Sequence, residues 1–211
     1  MAADSAAPDP GASGARAVDP PPVPLFNIAN VLTVSRLVLV PVFLVALFYD
    51  GGHDVAWRWV ATGVFALASV TDRVDGDLAR RRGLVTDFGK VADPIADKAL
   101  TGSGLVALSL LGDLPWFATS VIILREVVVT ALRFWVLRHG VIPASRGGKL
   151  KTLLQALTIG LYLLPLGAIA EVPRWIVLGV TLLVTVVTGF DYLVRALRLR
   201  AEGRRAGVRQ S

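Results

Sequence analysis

The chain has 211 residues, of which 54% are hydrophobic and 18% are charged, and its mean hydropathy is +0.63. This composition is too apolar for an ordinary soluble domain and indicates a membrane protein. The net charge of +6 is therefore expected to favour anionic lipid head groups, and no basic motif resembles a nucleic-acid reader.

The amino-terminal region contains two different segments. Residues 1–24 are rich in Ala, Pro, Gly and Asp and lack apolar periodicity, which predicts a disordered cytoplasmic tail. They contain no apolar core with a cleavage site, so no signal peptide is expected. Residues 25–36, LFNIANVLTVSR, mix apolar and polar residues at helical spacing. This predicts an interfacial helix along the cytoplasmic surface, with a plain linker as the alternative.

Six apolar runs follow, and each reaches about 20 residues, enough to cross a bilayer, once its flanks are included. The sequence therefore predicts an all-α, polytopic membrane domain over residues 25–198 with about six transmembrane helices. Residues 199–211 are predicted to form a basic cytoplasmic tail. The apolar runs are 37–49, 59–71, 99–111, 116–137, 153–170 and 175–192.

Lysine and arginine are concentrated on one side of the predicted spans. The connections 50–58, 112–115 and 171–174 carry Arg58 and Arg174 as their basic residues, whereas the opposite connections and the carboxy-terminal tail are strongly basic. The positive-inside rule therefore predicts that the segment 72–97 and both termini face the cytoplasm. The expected location is the inner (plasma) membrane of the cell.

Two pairs of aspartates, Asp72 with Asp75 and Asp93 with Asp97, lie beside segments that are almost wholly apolar. A carboxylate at membrane depth is costly unless it is paired, hydrated or bound to a cation, so this cluster indicates a functional site. Asp72 and Asp75 are three residues apart, and Asp93 and Asp97 are four apart, so each pair lies on one helix face. An all-oxygen ligand set favours one or two Mg²⁺ or Mn²⁺ ions, and the lack of cysteine argues against zinc.

This segment matches the pattern D-x2-D-G-x2-A-R-x8-G-x3-D-x3-D at all eight fixed positions. It thereby resembles the CDP-alcohol phosphatidyltransferases, integral membrane enzymes that make phospholipid head groups. The resemblance implies that a phosphatidyl group moves from CDP-diacylglycerol to an alcohol and that CMP is released. It implies that Asp72, Asp75 and Asp93 bind metal, with two ions expected. It makes Asp97 the general base and places it at the second ion.

The resemblance also implies a binding site for CDP-diacylglycerol. Gly76 and Ala79 lack bulk, which indicates the close approach of a ligand or of a neighbouring helix, and the resemblance makes that ligand the cytidine diphosphate. Helix packing is the alternative for both. Arg80 is expected to contact the phosphates, because a guanidinium matches phosphate oxygens. Asn30 and Thr33 match the family's amino-terminal element and are further candidates for this substrate.

Basic residues near the fourth and fifth spans predict a pocket for a phosphorylated acceptor, although a pair between Arg125 and Glu126 is an alternative role. The segments REVVVTALR, GGKLKTLLQ and NIANVLTVSR resemble the bacterial phosphatidylglycerophosphate synthases, whose acceptor is sn-glycerol 3-phosphate. This narrower resemblance implies phosphatidylglycerol phosphate as product and a homodimeric enzyme. Inositol phosphate or phosphatidylglycerol as acceptor, and a divalent-ion transporter, are the alternatives. The predicted pocket residues are Arg125, Arg133, Arg146, Lys149 and Lys151.

Overall fold

The computed structural model describes residues 28–82, 86–136 and 146–208. Side chains are described for residues 30–71, 86, 89, 92–133, 135 and 148–200. The described parts are helical and contain no strand. Their α-helices are α1 (Ile28–Phe48), α2 (Val55–Arg82), α3 (Asp87–Leu110), α4 (Trp116–Val136), α5 (Arg146–Leu163) and α6 (Glu171–Val208). Short 3₁₀ helices at Tyr49–Gly52 and Gly167–Ala170 join α1 to α2 and α5 to α6.

Two segments of these helices are long and apolar enough to cross a membrane. They are Asn30–Gly52, with 23 residues and a mean hydropathy of 2.4, and Gly167–Arg200, with 34 residues and a mean hydropathy of 2.0. A shorter apolar helix covers Val55–Thr71. The all-α prediction is confirmed for the described residues, while the count of six spans stays a prediction.

Helix α1 begins at Ile28 and continues without a break to Phe48. A separate interfacial helix is therefore wrong for residues 28–36, which form the first turns of an apolar helix. The physical reason is the environment of their polar side chains. Asn30 and Thr33 are buried, with exposed fractions of 5% and 1%, and they contact the start of α3 instead of water.

The core lies where α1, α2 and α3 pack together and where α5 covers them. The rings of Phe43 and Phe65 lie 5.7 Å apart at its centre. Helices α3 and α5 approach closely at Gly104, where an added Cβ would lie 3.1 Å from Cγ2 of Ile159. This contact fixes the register between α3 and α5 and so determines which of their side chains share a cavity.

Large apolar side chains cover much of the outer surface of the helices. Val45, Leu183 and Phe190 are 69%, 65% and 67% exposed. Water would make such a surface costly, whereas lipid chains solvate it. The exposed apolar surface is consistent with a protein whose helices lie in a membrane.

Candidate functional site

The start of α3 is fixed by the side chain of Thr86, the residue that precedes the helix. Its hydroxyl accepts a hydrogen bond from the backbone N–H of Gly89 at 3.0 Å, as expected of a residue that caps a helix. The same hydroxyl donates to Oδ1 of Asn30 at 2.7 Å. A Cβ added at Gly89 would lie 3.2 Å from that oxygen, so a residue without a side chain suits this position. Asn30 therefore joins α1 to the first turn of α3.

Asp93 lies one turn further along α3 and is held from the same side. The hydroxyl of Thr33 donates a hydrogen bond to Oδ1 of Asp93. Thr33 is almost completely buried, so its hydroxyl has little freedom to leave this contact. The structure thus gives Asn30 and Thr33 a role in orienting α3 and its carboxylate. Their predicted contact with CDP-diacylglycerol stays a prediction.

The first half of the predicted site lies on α2, which continues from its apolar part to Arg82. This continuity agrees with the expectation that the second span extends beyond its apolar zone. The side chains of five predicted site residues lie outside the described part of the structure. These residues are Asp72, Asp75, Gly76, Ala79 and Arg80.

The predicted metal ligands are the carboxylates of Asp72, Asp75, Asp93 and Asp97. Four carboxylates supply the hard oxygen ligands that Mg²⁺ and Mn²⁺ prefer, and they lack the nitrogen and sulfur ligands of a zinc site. Asp93 is oriented by Thr33, as is typical of a carboxylate supported by a neighbouring hydrogen bond. Among the side chains that the structure describes, no three His, Asp or Glu residues cluster to hold an ion. The donor chemistry fits, and the two described members, Asp93 and Asp97, lie on α3.

A cavity of about 440 Å³ lies between α3, α4 and α5. Its volume is within the range of small-molecule sites. Apolar residues such as Leu105 and Ile122 form part of the wall. The polar residues of the wall are Asp97, Lys98, Thr101, Glu126, Thr130, Lys151, Thr152 and Gln155.

Glu126 binds two cations at the wall of this cavity. Nη1 of Arg125 donates to Oε1 of Glu126 at 3.0 Å, and Nζ of Lys151 donates to the same oxygen. Lys151 is 6% exposed, and a buried ammonium is costly without such a partner. The three side chains together carry one net positive charge. The cluster can therefore attract an anion to the cavity while its own charges remain partly compensated.

Arg125 also joins α4 to α6. Its Nη2 donates to the hydroxyl of Thr188 at 3.3 Å. The side chain passes directly over Gly189, where an added Cβ would lie 3.0 Å from Cγ of Arg125. The alternative predicted for Arg125, a pair with Glu126, is present, and its role in phosphate binding stays a prediction.

Gly189→Ala is expected to be less stable than Gly179→Ala by about 1 kcal/mol, because the new methyl group lies 3.0 Å from Cγ of Arg125 and the arginine side chain must shift. Thermal unfolding of the detergent-solubilised protein measures this change. Gly179→Ala is the matched control on α6, since nothing lies within 4 Å of a Cβ at Gly179. Equal unfolding temperatures for the two variants would contradict the proposed contact.

The other predicted acceptor residues lie in different places. Arg133 and Lys149 are exposed and do not line the cavity, and the side chain of Arg146 lies outside the described part of the structure. Of the four predicted residues whose side chains are described, Lys151 alone lines the cavity. Sequence reasoning missed Gln155, for which the available signal was its position one helical turn after Lys151.

The comparisons with known proteins identify the family of this chain. The sequence model of the CDP-alcohol phosphatidyltransferase family matches residues 26–187. A relative from Mycobacterium tuberculosis, "Probable phosphatidylglycerophosphate synthase", is 58% identical over 172 residues and 82% of each chain. The "CDP-diacylglycerol--glycerol-3-phosphate 3-phosphatidyltransferase" of Bacillus subtilis is 35% identical, over 80% of this chain and 94% of the relative. A "Cardiolipin synthase (CMP-forming)" from Oryza sativa is 39% identical, over 68% of this chain and 48% of the relative. The chain belongs to the CDP-alcohol phosphatidyltransferase family.

Proposed function

We propose that this chain transfers the phosphatidyl group of CDP-diacylglycerol to sn-glycerol 3-phosphate, which yields phosphatidylglycerol phosphate and CMP. The observation that carries the proposal is the cavity that Asp97 and Lys151 share. It offers a base for the attacking hydroxyl and a cation for the acceptor's phosphate. The relatives from M. tuberculosis and B. subtilis support glycerol 3-phosphate as the acceptor through their names and identities.

Asp72, Asp75, Asp93 and Asp97 would hold the divalent cations, two Mg²⁺ or Mn²⁺ ions. Bound ions of this kind neutralise pyrophosphate charge and stabilise the departing CMP. Neighbouring residues of this chain orient one of these carboxylates and the helix that carries it. The hydroxyl of Thr33 supports the Asp93 carboxylate from α1, and Thr86 fixes the helix start one turn earlier.

Asp97 acts as the general base of the transfer. The acceptor's hydroxyl oxygen attacks the β-phosphorus, and the bond from that phosphorus to the CMP oxygen breaks. Asp97 takes the proton that the hydroxyl loses. Its place in the cavity wall supports this role, because a base must lie within hydrogen-bond reach of the proton that it removes.

The two substrates occupy different parts of the protein. Gly76, Ala79 and Arg80 bind the cytidine diphosphate near the end of α2, with Asn30 and Thr33 at the edge of that site. The acceptor's phosphate lies in the cavity near Lys151. Arg125 adds positive charge beside the cavity, because it shares the Glu126 carboxylate with Lys151. Arg133, Arg146 and Lys149 supply further positive charge that attracts an anion.

The enzyme is a homodimer of the inner membrane with about six spans per chain and a site that faces the cytoplasm. The distribution of basic residues supports this orientation. The two arginines at the opposite end have structural partners, since Arg58 pairs with Asp113 and Arg174 donates to the carbonyl of Leu164 at 2.6 Å. A cytoplasmic site open to lipid suits a reaction between a soluble phosphate and a membrane lipid.

The choice of acceptor can be tested with the purified, detergent-solubilised protein. CDP-diacylglycerol and Mg²⁺ are supplied with glycerol 3-phosphate, inositol 1-phosphate, serine or phosphatidylglycerol in separate reactions, and CMP and the lipid product are measured. We expect CMP release with glycerol 3-phosphate alone. Release with phosphatidylglycerol alone would instead match the name of the O. sativa relative. No release with any acceptor would contradict the proposed activity.

A further inference from the structure

Gln155 is a buried amide with an unused hydrogen-bond donor in the wall of the cavity. The residue is 3% exposed, and it lies on α5 one turn after Lys151. Its Nε2 atom has no hydrogen-bond partner among the residues that the structure describes. An amide N–H that is removed from water without a partner destabilises the protein, and such groups are rare because a protein group, an ordered water or a ligand usually satisfies them. The cavity therefore offers a donor to a molecule that enters it.

The register of the helices fixes the depth of this donor. Gly104 on α3 lies against Ile159 on α5, and both helices run in the same direction from the end that carries Asp97 and Lys151. Gln155 precedes Ile159 by four residues, so it lies near the level of Thr101. Measured from the end of α3 and α5 that carries Asp97 and Lys151, this level is one helical turn, about 5.4 Å, deeper than Asp97.

Glu126 lies at the same level on α4. Helix α4 runs opposite to α3, and Lys98 of α3 donates to the hydroxyl of Thr130 at 2.5 Å. Glu126 precedes Thr130 by one turn and therefore lies deeper than Lys98 in the cavity wall. Because Nζ of Lys151 is bound to Glu126, the ammonium and Nε2 of Gln155 lie at about the same depth in the cavity wall.

We infer that Nε2 of Gln155 donates a hydrogen bond to a phosphate oxygen of the acceptor and thereby selects a phosphorylated alcohol. This inference rests on the proposed function. A phosphate offers several acceptor oxygens, so it can bind the ammonium of Lys151 and the amide together. With the phosphate at this depth, a three-carbon chain carries the reacting hydroxyl back to Asp97. Gln155 is thus a specificity residue for the small anionic substrate.

Gln155→Met and Gln155→Glu test the inference in the full chain, with saturating CDP-diacylglycerol and varied glycerol 3-phosphate. Methionine has a similar volume without the donor, so KM for glycerol 3-phosphate is expected to rise about tenfold. Glutamate adds a negative charge beside the phosphate and is expected to raise this KM further. KM for CDP-diacylglycerol, measured in a second titration at saturating glycerol 3-phosphate, stays unchanged in both variants. Unchanged KM values for glycerol 3-phosphate would overturn the inference.

Thr158→Val is the matched control on the same helix. Thr158 is buried, and its hydroxyl bonds to Thr181 at 2.7 Å away from the cavity. This variant is expected to lower thermal stability without changing the KM of either substrate. If Gln155→Met behaved as Thr158→Val does, Gln155 would have a structural role and the inference would fail.

3-Hydroxypropyl phosphate is an analogue of glycerol 3-phosphate that lacks the second hydroxyl. It therefore distinguishes a contact of Gln155 with the phosphate from a contact with that hydroxyl. If Gln155 binds the phosphate, Gln155→Met raises KM by the same factor for both acceptors. If the effect disappears with the analogue, the amide binds the hydroxyl and the inference is wrong. Failure of the proposed function is a separate result, since the unmodified protein would then release no CMP with glycerol 3-phosphate.

Discussion

Asp97→Asn is expected to lower CMP release by about 10²–10⁴-fold while CDP-diacylglycerol binding is largely preserved. Asparagine keeps the shape of aspartate, but its amide cannot take a proton from the attacking hydroxyl. Because asparagine nearly preserves the volume of this cavity residue, access of the acceptor is kept and the loss falls on the proton transfer. Single-turnover CMP release and equilibrium binding of CDP-diacylglycerol, measured on the same preparation, separate the two effects.

Asp191→Asn provides the control for this experiment. Asp191 is exposed on α6 and pairs with Arg195 at 2.9 Å, four residues later. Removal of this surface charge is expected to leave CMP release unchanged, because exposed ion pairs contribute little to stability. Full activity of Asp97→Asn would contradict the assignment of the base. Equal loss in both variants would indicate a general effect of the substitution.

The helices of this protein and the spacing of residues along each helix could be predicted from the sequence. Apolar runs of helical length predicted the helices, and the structure has all-α elements over its described parts. The spacing of Asp93 and Asp97 placed both on one face of a helix, which is α3. These features depend on residues that are close together in the chain, so composition and periodicity report them directly.

Contacts between distant helices could not be derived in the same way. Thr33 and Asp93 are 60 residues apart, and their hydrogen bond depends on how α1 packs against α3. The polar residues of 28–36 suggested a surface helix because helical spacing cannot distinguish a face turned to water from one turned to another helix. Lys151 and Glu126 illustrate the same limit, since the sequence suggested Glu126 as a partner of its neighbour Arg125 but not of Lys151, which lies 25 residues away.

Thr33→Val is expected to raise the Mg²⁺ concentration required for half-maximal CMP release by about 10–100-fold, the range measured when the hydrogen-bond partner of a metal ligand is removed. Valine preserves the volume of threonine but cannot donate to Oδ1 of Asp93. The carboxylate then loses its fixed orientation on α3. A Mg²⁺ titration of activity gives the first measurement, and Mn²⁺ binding followed by electron paramagnetic resonance gives one that is independent of turnover.

Thr62→Val distinguishes this effect from a general loss of packing. The hydroxyl of Thr62 donates to the carbonyl of Arg58 within α2, at 2.7 Å. We expect this variant to bind Mn²⁺ as the unmodified protein does. Weaker Mn²⁺ binding in Thr33→Val alone would mean that α1 acts on the site through Asp93. Unchanged Mn²⁺ binding with weaker CDP-diacylglycerol binding would instead indicate that Thr33 contacts CDP-diacylglycerol, as the family resemblance implies.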